Sequence, residues 1–168
     1  MTLIVEDGTI VTGAESYATV AFADAYFASR GVTAWAAIAS EGLKEIALRK
    51  ATDYMSAVYR DMWAGSRVNE VQELDWPREN VYRDRYVLVL NTVVPIEVQR
   101  ACCEFALRTT TGDLITDQVA SVIREKVGPI ETEYAGGQST QVSYAYVNNM
   151  LAPYLNGGGS GQRRLVRQ

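Results

Sequence analysis

Histidine is missing from all 168 residues of the chain. Its absence excludes Ser-His and Cys-His nucleophile pairs and imidazole metal sites, and removes the side chain best suited to proton transfer near neutrality. Only carboxylate or lysine chemistry stays open to catalysis, and a non-enzymatic protein is expected. Cysteine is scarce as well: the two present, Cys102 and Cys103, are adjacent. Neighbouring positions on a helix point apart, so this pair reads as small buried hydrophobes, and neither a metal nor a cofactor is expected. No apolar run reaches the length of a membrane span. The start, Met1-Thr-Leu-Ile-Val-Glu6, lacks the basic region and apolar core of a signal peptide, so synthesis and residence in a cytoplasm are expected. Positive charge is in deficit, with 16 Lys and Arg against 20 Asp and Glu and a net charge of −4. Affinity for nucleic acid without regard to sequence comes mainly from cations neutralising phosphates, and this balance argues against it.

What is present fits one domain with extensions, at 48% hydrophobic and 21% charged residues. Thr2 to Val11 alternates weakly around Asp7-Gly8, a dipeptide that tolerates tight-turn angles, which predicts a small N-terminal hairpin. Thr19 caps a helix to about Ser29, with Val20, Phe22, Ala23, Tyr26 and Phe27 inward and Gly31 past its end. A short helical piece follows around Trp35. Ser40 caps a long helix from Glu41 to about Met62, with Leu43, Ala47, Ala51, Tyr54, Val58 and Met62 on one face. Glu45, Arg49 and Asp53 form a ladder on the opposite face, which predicts solvent there or a neighbour in an oligomer.

Between Trp63 and Val94 the periodicity fades into an ordered loop region, in which Trp76 before Pro77 reads as an extended aromatic anchor in preference to a base-stacking platform. Pro95 and Gly112 bracket a second long helix, apolar on two sides: Val98, Ala101, Cys102 and Phe105 on one, Ile96, Cys103 and Leu107 on the other. Glu97, Arg100, Glu104 and Arg108 make a narrow polar stripe between them. Val122 to Tyr134 is β-branched and charged, and Gly128-Pro129 interrupts it, predicting a kinked edge strand or a hairpin. Ser143 caps a last short helix ending near Pro153. The expected fold is mainly α: a small helical bundle with a projecting β arm and a glycine-rich tail. Its parts are an extension or hairpin over 1–15, a helical core over 16–120, a β arm with a short helix over 121–156, and a flexible arm over 157–168.

That final arm, Gly157-Gly-Gly-Ser-Gly-Gln-Arg-Arg-Leu-Val-Arg-Gln168, joins a flexible hinge to a basic-apolar tip on an acidic body. Ordering such a coil costs roughly 1–2 kcal/mol per residue, so the tip needs a partner to become fixed; a cloning scar is the plain alternative, though Arg-Arg-Leu-Val-Arg matches no common tag. The glycine run lacks the GxxxxGK[ST] pattern of a phosphate-binding loop. Glu131 and Glu133 share one strand face, and with Arg124 and Lys126 nearby they favour a solvated or intersubunit charge pattern over a cation or acid-base site. Tyr134, Tyr144, Tyr146 and Tyr154 suit either a stacking platform for single-stranded nucleic acid or a protein interface, and the acidic balance favours the interface.

Five segments in this order resemble the small head-tail connector, or adaptor, proteins of tailed bacteriophages. They are Leu48-Arg-Lys-Ala-Thr-Asp-Tyr54, Leu74-Asp-Trp-Pro-Arg78, Pro95-Ile-Glu-Val-Gln-Arg-Ala-Cys-Cys-Glu-Phe-Ala-Leu107, Arg124-Glu-Lys-Val-Gly-Pro-Ile-Glu131 and the ending with Arg164-Leu-Val-Arg167. Relatives of that group often carry the label DnaT-like single-stranded DNA-binding protein. The resemblance implies a virion protein, made in the host bacterial cytoplasm, that forms a commonly dodecameric homo-oligomeric ring. The ring would lie beneath the portal protein and above a tail or neck protein, with packaged double-stranded DNA passing through without specific binding. On that expectation Arg163, Arg164, Leu165, Val166 and Arg167 contact the portal, while Arg124, Lys126, Glu131, Glu133 and Tyr134 lie between subunits. The rival from another class is a single-stranded DNA-binding replication protein.

Overall fold

A computed structural model describes residues 2–84, 86–114 and 144–156, together with the backbone of 124–127 and 130–133. Within these the fold is mainly α. Helices α1 (Val20–Ala28), α2 (Thr33–Ala36), α3 (Glu41–Tyr59), α4 (Ile96–Thr109) and α5 (Ala145–Leu151) carry the core, and a 3-10 turn (Ala152–Tyr154) ends the described chain. Between α3 and α4 lie β1 (Ser66–Arg67), β2 (Arg78–Glu79), β3 (Tyr82–Asp84) and β4 (Val87–Leu88), paired antiparallel as β1–β2 and β3–β4. The segment that sequence periodicity leaves as loop is therefore two small sheets, too short for a repeating pattern to register.

Local capping sets the helix starts. Thr19 Oγ1 accepts the Phe22 amide at 3.0 Å and Ser40 Oγ accepts that of Leu43 at 3.3 Å, as side chains of this type do for the exposed amides of a first turn. Gly31 follows α1 at φ +66°, the left-handed angle that suits glycine past a helix end. Pro95 occupies the N-cap of α4. The last helix begins at Ala145 after Tyr144, which makes no side-chain cap bond, so the expected Ser143 cap lies outside the described residues.

α3 packs chiefly on α4. Leu48, Ala51, Thr52 and Met55 lie with Val98, Ala101, Cys102 and Phe105 in one core, whereas of the second apolar side expected for α4 only Cys103 is buried, Leu107 being half-buried and Ile96 exposed at the first turn. α3 stops at Tyr59, short of Met62, and Leu43 and Met62 are exposed at 49% and 43%, so the apolar stripe overruns the part of the helix that is covered.

Two expectations are corrected at the N-terminus. No hairpin forms around Asp7-Gly8; the segment makes one parallel bridge, Val5 with Ser16. Its turn closes on a side chain instead. The buried Glu6 carboxylate accepts the amides of Gly8, Ile10 and Val11 at 2.8, 3.0 and 2.9 Å, taking the place of a facing strand. Gly8 sits at φ +108° where a methyl would come 2.2 Å from the Thr92 carbonyl oxygen, so the loop lies tight against the approach to α4. The α3 ladder meets this same segment. Arg49 donates to Glu15 at 2.9 Å and Glu45 accepts the Leu3 amide at 3.2 Å, leaving exposed Asp53 as the rung that faces solvent.

β5 (Arg124–Val127) and β6 (Ile130–Glu133) pair antiparallel, which meets the expected hairpin at backbone level. Among the described residues no helix is long and apolar enough to cross a membrane.

Candidate functional site

Trp76 anchors the segment that leads from α3 into the β3–β4 hairpin. It is fully buried, edge-on to Trp63 at 5.7 Å and to Tyr154 at 5.7 Å, and its peptide bond to Pro77 is cis. The anchor reading is met, and base stacking is not open to a ring with no exposed face. Around it the backbone is tied by Arg78, whose guanidinium donates to the carbonyls of Ala64, Gly65 and Asp75 at 2.8, 2.8 and 3.2 Å. Burial lowers the Arg78 pKa, and Asp75 opposes that shift. Asp75 has no exposure; it accepts from Arg60 at 3.2 Å and its amide donates to the Tyr17 hydroxyl at 3.0 Å. Tyr17 is pushed well above the usual phenol range, first by burial and then by the Asp75 charge.

On this base stands the β3–β4 hairpin. Val81 below it is buried and its carbonyl accepts the Val89 amide at 2.8 Å. Arg83 lies 3.7 Å from Glu97, in the first turn of α4, and the same carboxylate accepts the Tyr154 hydroxyl at 2.7 Å. Burial, then the bond to Glu97, raises the Tyr154 pKa. The hairpin is thus fixed at its root, while Tyr82, Tyr86, Val87, Leu88 and Leu90 are exposed at 54, 89, 49, 52 and 63%. A surface of that kind is uncommon on a protein that acts alone. The reading from sequence misses it, although Tyr86-Val-Leu-Val-Leu90 is a run of residues that favour strands.

The expected tyrosine cluster is dispersed. Tyr144 packs on Tyr54 at 5.9 Å and on Phe105 at 5.4 Å, Tyr154 is buried, and Tyr146 is exposed at 56%. Tyr134 lies outside the described residues. In β5–β6, Arg124 is in register with Glu133 and Lys126 with Glu131, which places opposite charges across the pair. Arg163, Arg164, Leu165, Val166 and Arg167 lie outside the described residues.

Both cysteines are buried and free, and burial raises both thiols, which disfavours the reactive thiolate. Cys102 Sγ rests 3.4 Å from Thr52 Oγ1 and 3.8 Å from Ser16 Oγ. Among the described residues no group of three or more Cys, Asp or Glu side chains is placed to hold a metal ion.

Fold and surface together define a mainly helical domain with small β appendages and an exposed aromatic hairpin. The chain belongs to the family described as "Putative DnaT-like ssDNA binding protein", whose model matches residues 1–168. This match speaks for the DNA-binding rival more than for the connector, to which it makes no reference. No curated protein and no solved structure matches the chain.

Proposed function

We propose that the chain is a structural assembly protein, a subunit of a homo-oligomeric adaptor ring in the neck of a tailed bacteriophage. The observation that carries the assembly reading is the β3–β4 hairpin, which pairs with α4 through Arg83 and Glu97 and leaves Tyr82, Tyr86, Val87 and Leu88 exposed. Apolar, aromatic surface of this size serves contact with other protein far better than contact with water. The neck location rests on the resemblance of the five sequence segments. On this reading the arginine-rich tip at residues 163–167 grips the portal and the charged β5–β6 pair meets a neighbouring subunit. Tail components would dock on the far side, and the net charge of −4 would let packaged duplex pass without adhering. Electron micrographs of the protein mixed with its portal test the proposal: annular density capping the portal is expected, and unchanged portal particles would overturn it.

A second reading, binding of single-stranded DNA, is favoured by the family description. Tyr82, Arg83 and Tyr86 on one hairpin supply aromatic faces and a cation of the sort that stack and pair with unpaired strands. Against it stand the acidic balance and the 3.7 Å pairing of Arg83 with Glu97.

A further inference from the structure

We infer that the β3–β4 hairpin of one copy docks into the groove between the start of α3 and the end of α4 on a second copy. The inference deepens the assembly reading and rests on it. The hairpin is the projecting half. Tyr82 and Tyr86 are exposed at 54% and 89%, and at about 200 Å² per aromatic side chain they alone leave roughly 300 Å² open. Leu88, the cross-strand partner of Tyr82, and Leu90 two residues on add exposed apolar area, and a patch of about 300–600 Å² is often functional.

The groove is the receiving half. It encloses about 320 Å³ and has Ile38, Leu43 and Ile46 on its apolar side and Lys50, Thr109 and Thr110 on its polar side. Leu43 and Ile46 are themselves 49% and 48% exposed among the described residues. Its polar side also suits a phenol. Thr109 Oγ1 donates to the Ala106 carbonyl at 2.8 Å and Thr110 Oγ1 to that of Leu107 at 2.6 Å. Each threonine hydroxyl has thus committed its proton to its own helix and presents lone pairs outward. A tyrosine brings the complement, an apolar ring ending in an O–H donor.

The occupant cannot be the chain's own hairpin. Arg83 ties that hairpin to Glu97 in the first turn of α4, whereas the groove reaches Thr109 and Thr110 at the last. The helix between them rises about 20 Å, and strands of two or three residues extend only about 10 Å. Knob and groove therefore meet between copies; a reciprocal pair would stop at a two-fold dimer, whereas the head-to-tail contact that accords with the assembly reading closes into a ring or runs on as a filament. One such contact falls at the small end of specific interfaces, near or below about 1,200 Å² in total. A lone pair is then weak, and closure, in which every copy makes two contacts, provides the stability.

Two full-length variants test this, Tyr86→Cys and Ile46→Cys. Mixed and mildly oxidised, they should yield a cross-linked dimer that neither yields alone, because Cys102 and Cys103 are buried. In sedimentation, Tyr86→Glu or Ile46→Glu should each raise the concentration needed for assembly at least tenfold with unchanged circular dichroism, and their mixture should stop at dimers. A Tyr86→Cys chain that dimerises alone would show hairpin meeting hairpin and overturn the inference. Rings unaffected by either glutamate would overturn it and leave the assembly reading standing. A parent chain that stays monomeric with and without portal would overturn both. Loss of oligonucleotide binding in Tyr86→Glu at unchanged oligomeric state would give the hairpin to nucleic acid instead.

Discussion

Trp76 shows how one side chain can hold a surface that it does not belong to. Wedged between Trp63 and Tyr154 and fully buried, it supports the root from which the exposed hairpin rises. Trp76→Ala should lower stability by roughly 3–5 kcal/mol, the usual cost of emptying a large aromatic site, read as a lower urea midpoint. A parent-like midpoint with failed assembly would place the ring at an interface. The anchor was legible because a tryptophan before proline in a stretch without periodicity has few other uses. Glu6 was not legible. A carboxylate folded back on three amides of its own loop leaves no spacing signature, and Asp7-Gly8 beside it suggests a turn of another kind. Titration also belongs to this scale. Tyr17, Tyr59 and Tyr154 all have pKa values raised first by burial, so the folded state retains their protons longer than the unfolded chain does. Their contribution is complete below the ordinary phenol value of about 10 and is lost as pH climbs through the raised values. With no histidine to titrate, melting temperatures should vary little from about pH 6 to 8 and fall above about 9, where the buried Cys102 and Cys103 thiols, also raised by burial, and then the phenols lose protons more readily in the unfolded chain. A decline already under way near pH 7 would contradict this.

At the scale of elements, helices and the β5–β6 pair were read from sequence, and the two small sheets between α3 and α4 were not. Thr19 and Ser40 mark helix starts through hydrogen bonds that span three residues, a range that sequence displays directly. Strands of two or three residues, such as β1 to β4, carry no alternation long enough to recognise. The polar ladder on α3 misled for the opposite reason: its spacing was correct, but its partners, Leu3 and Glu15, come from a segment whose path sequence did not disclose. That segment offers its own test. Glu6→Ala should cost roughly 1–3 kcal/mol by stranding buried amides. Hydrogen exchange at Gly8, Ile10 and Val11 should accelerate while that of α4 holds. Uniform acceleration across the chain would mean that the loop is not an independent unit.

The whole molecule carries a net charge of −4. Fluorescence anisotropy with a labelled single-stranded oligonucleotide should stay flat near physiological salt, since the acidic balance opposes the pairing with phosphates that displaces counterions. Binding that weakens steeply with added salt would move the conclusion to the second reading. On the adaptor reading, deleting residues 157–168 should leave the melting of the body unchanged to within about 0.5 kcal/mol, because the glycine run and basic tip offer little apolar surface, yet release a ring from the portal. Truncated protein that still co-purifies with portal would remove the tip from that role. The way the core closes also decides how the fold bears tension. The Ala64 amide donates to the Tyr154 carbonyl at 2.9 Å, the Asn156 amide to the Met62 carbonyl at 2.7 Å, and Trp63 bridges to Leu155 in antiparallel fashion. A pull arriving past Asn156 therefore meets this short clasp before it meets α5. The load passes through Trp63 into the rings of Tyr59, at the end of α3, and Trp76, so it enters the aromatic core before it reaches α5.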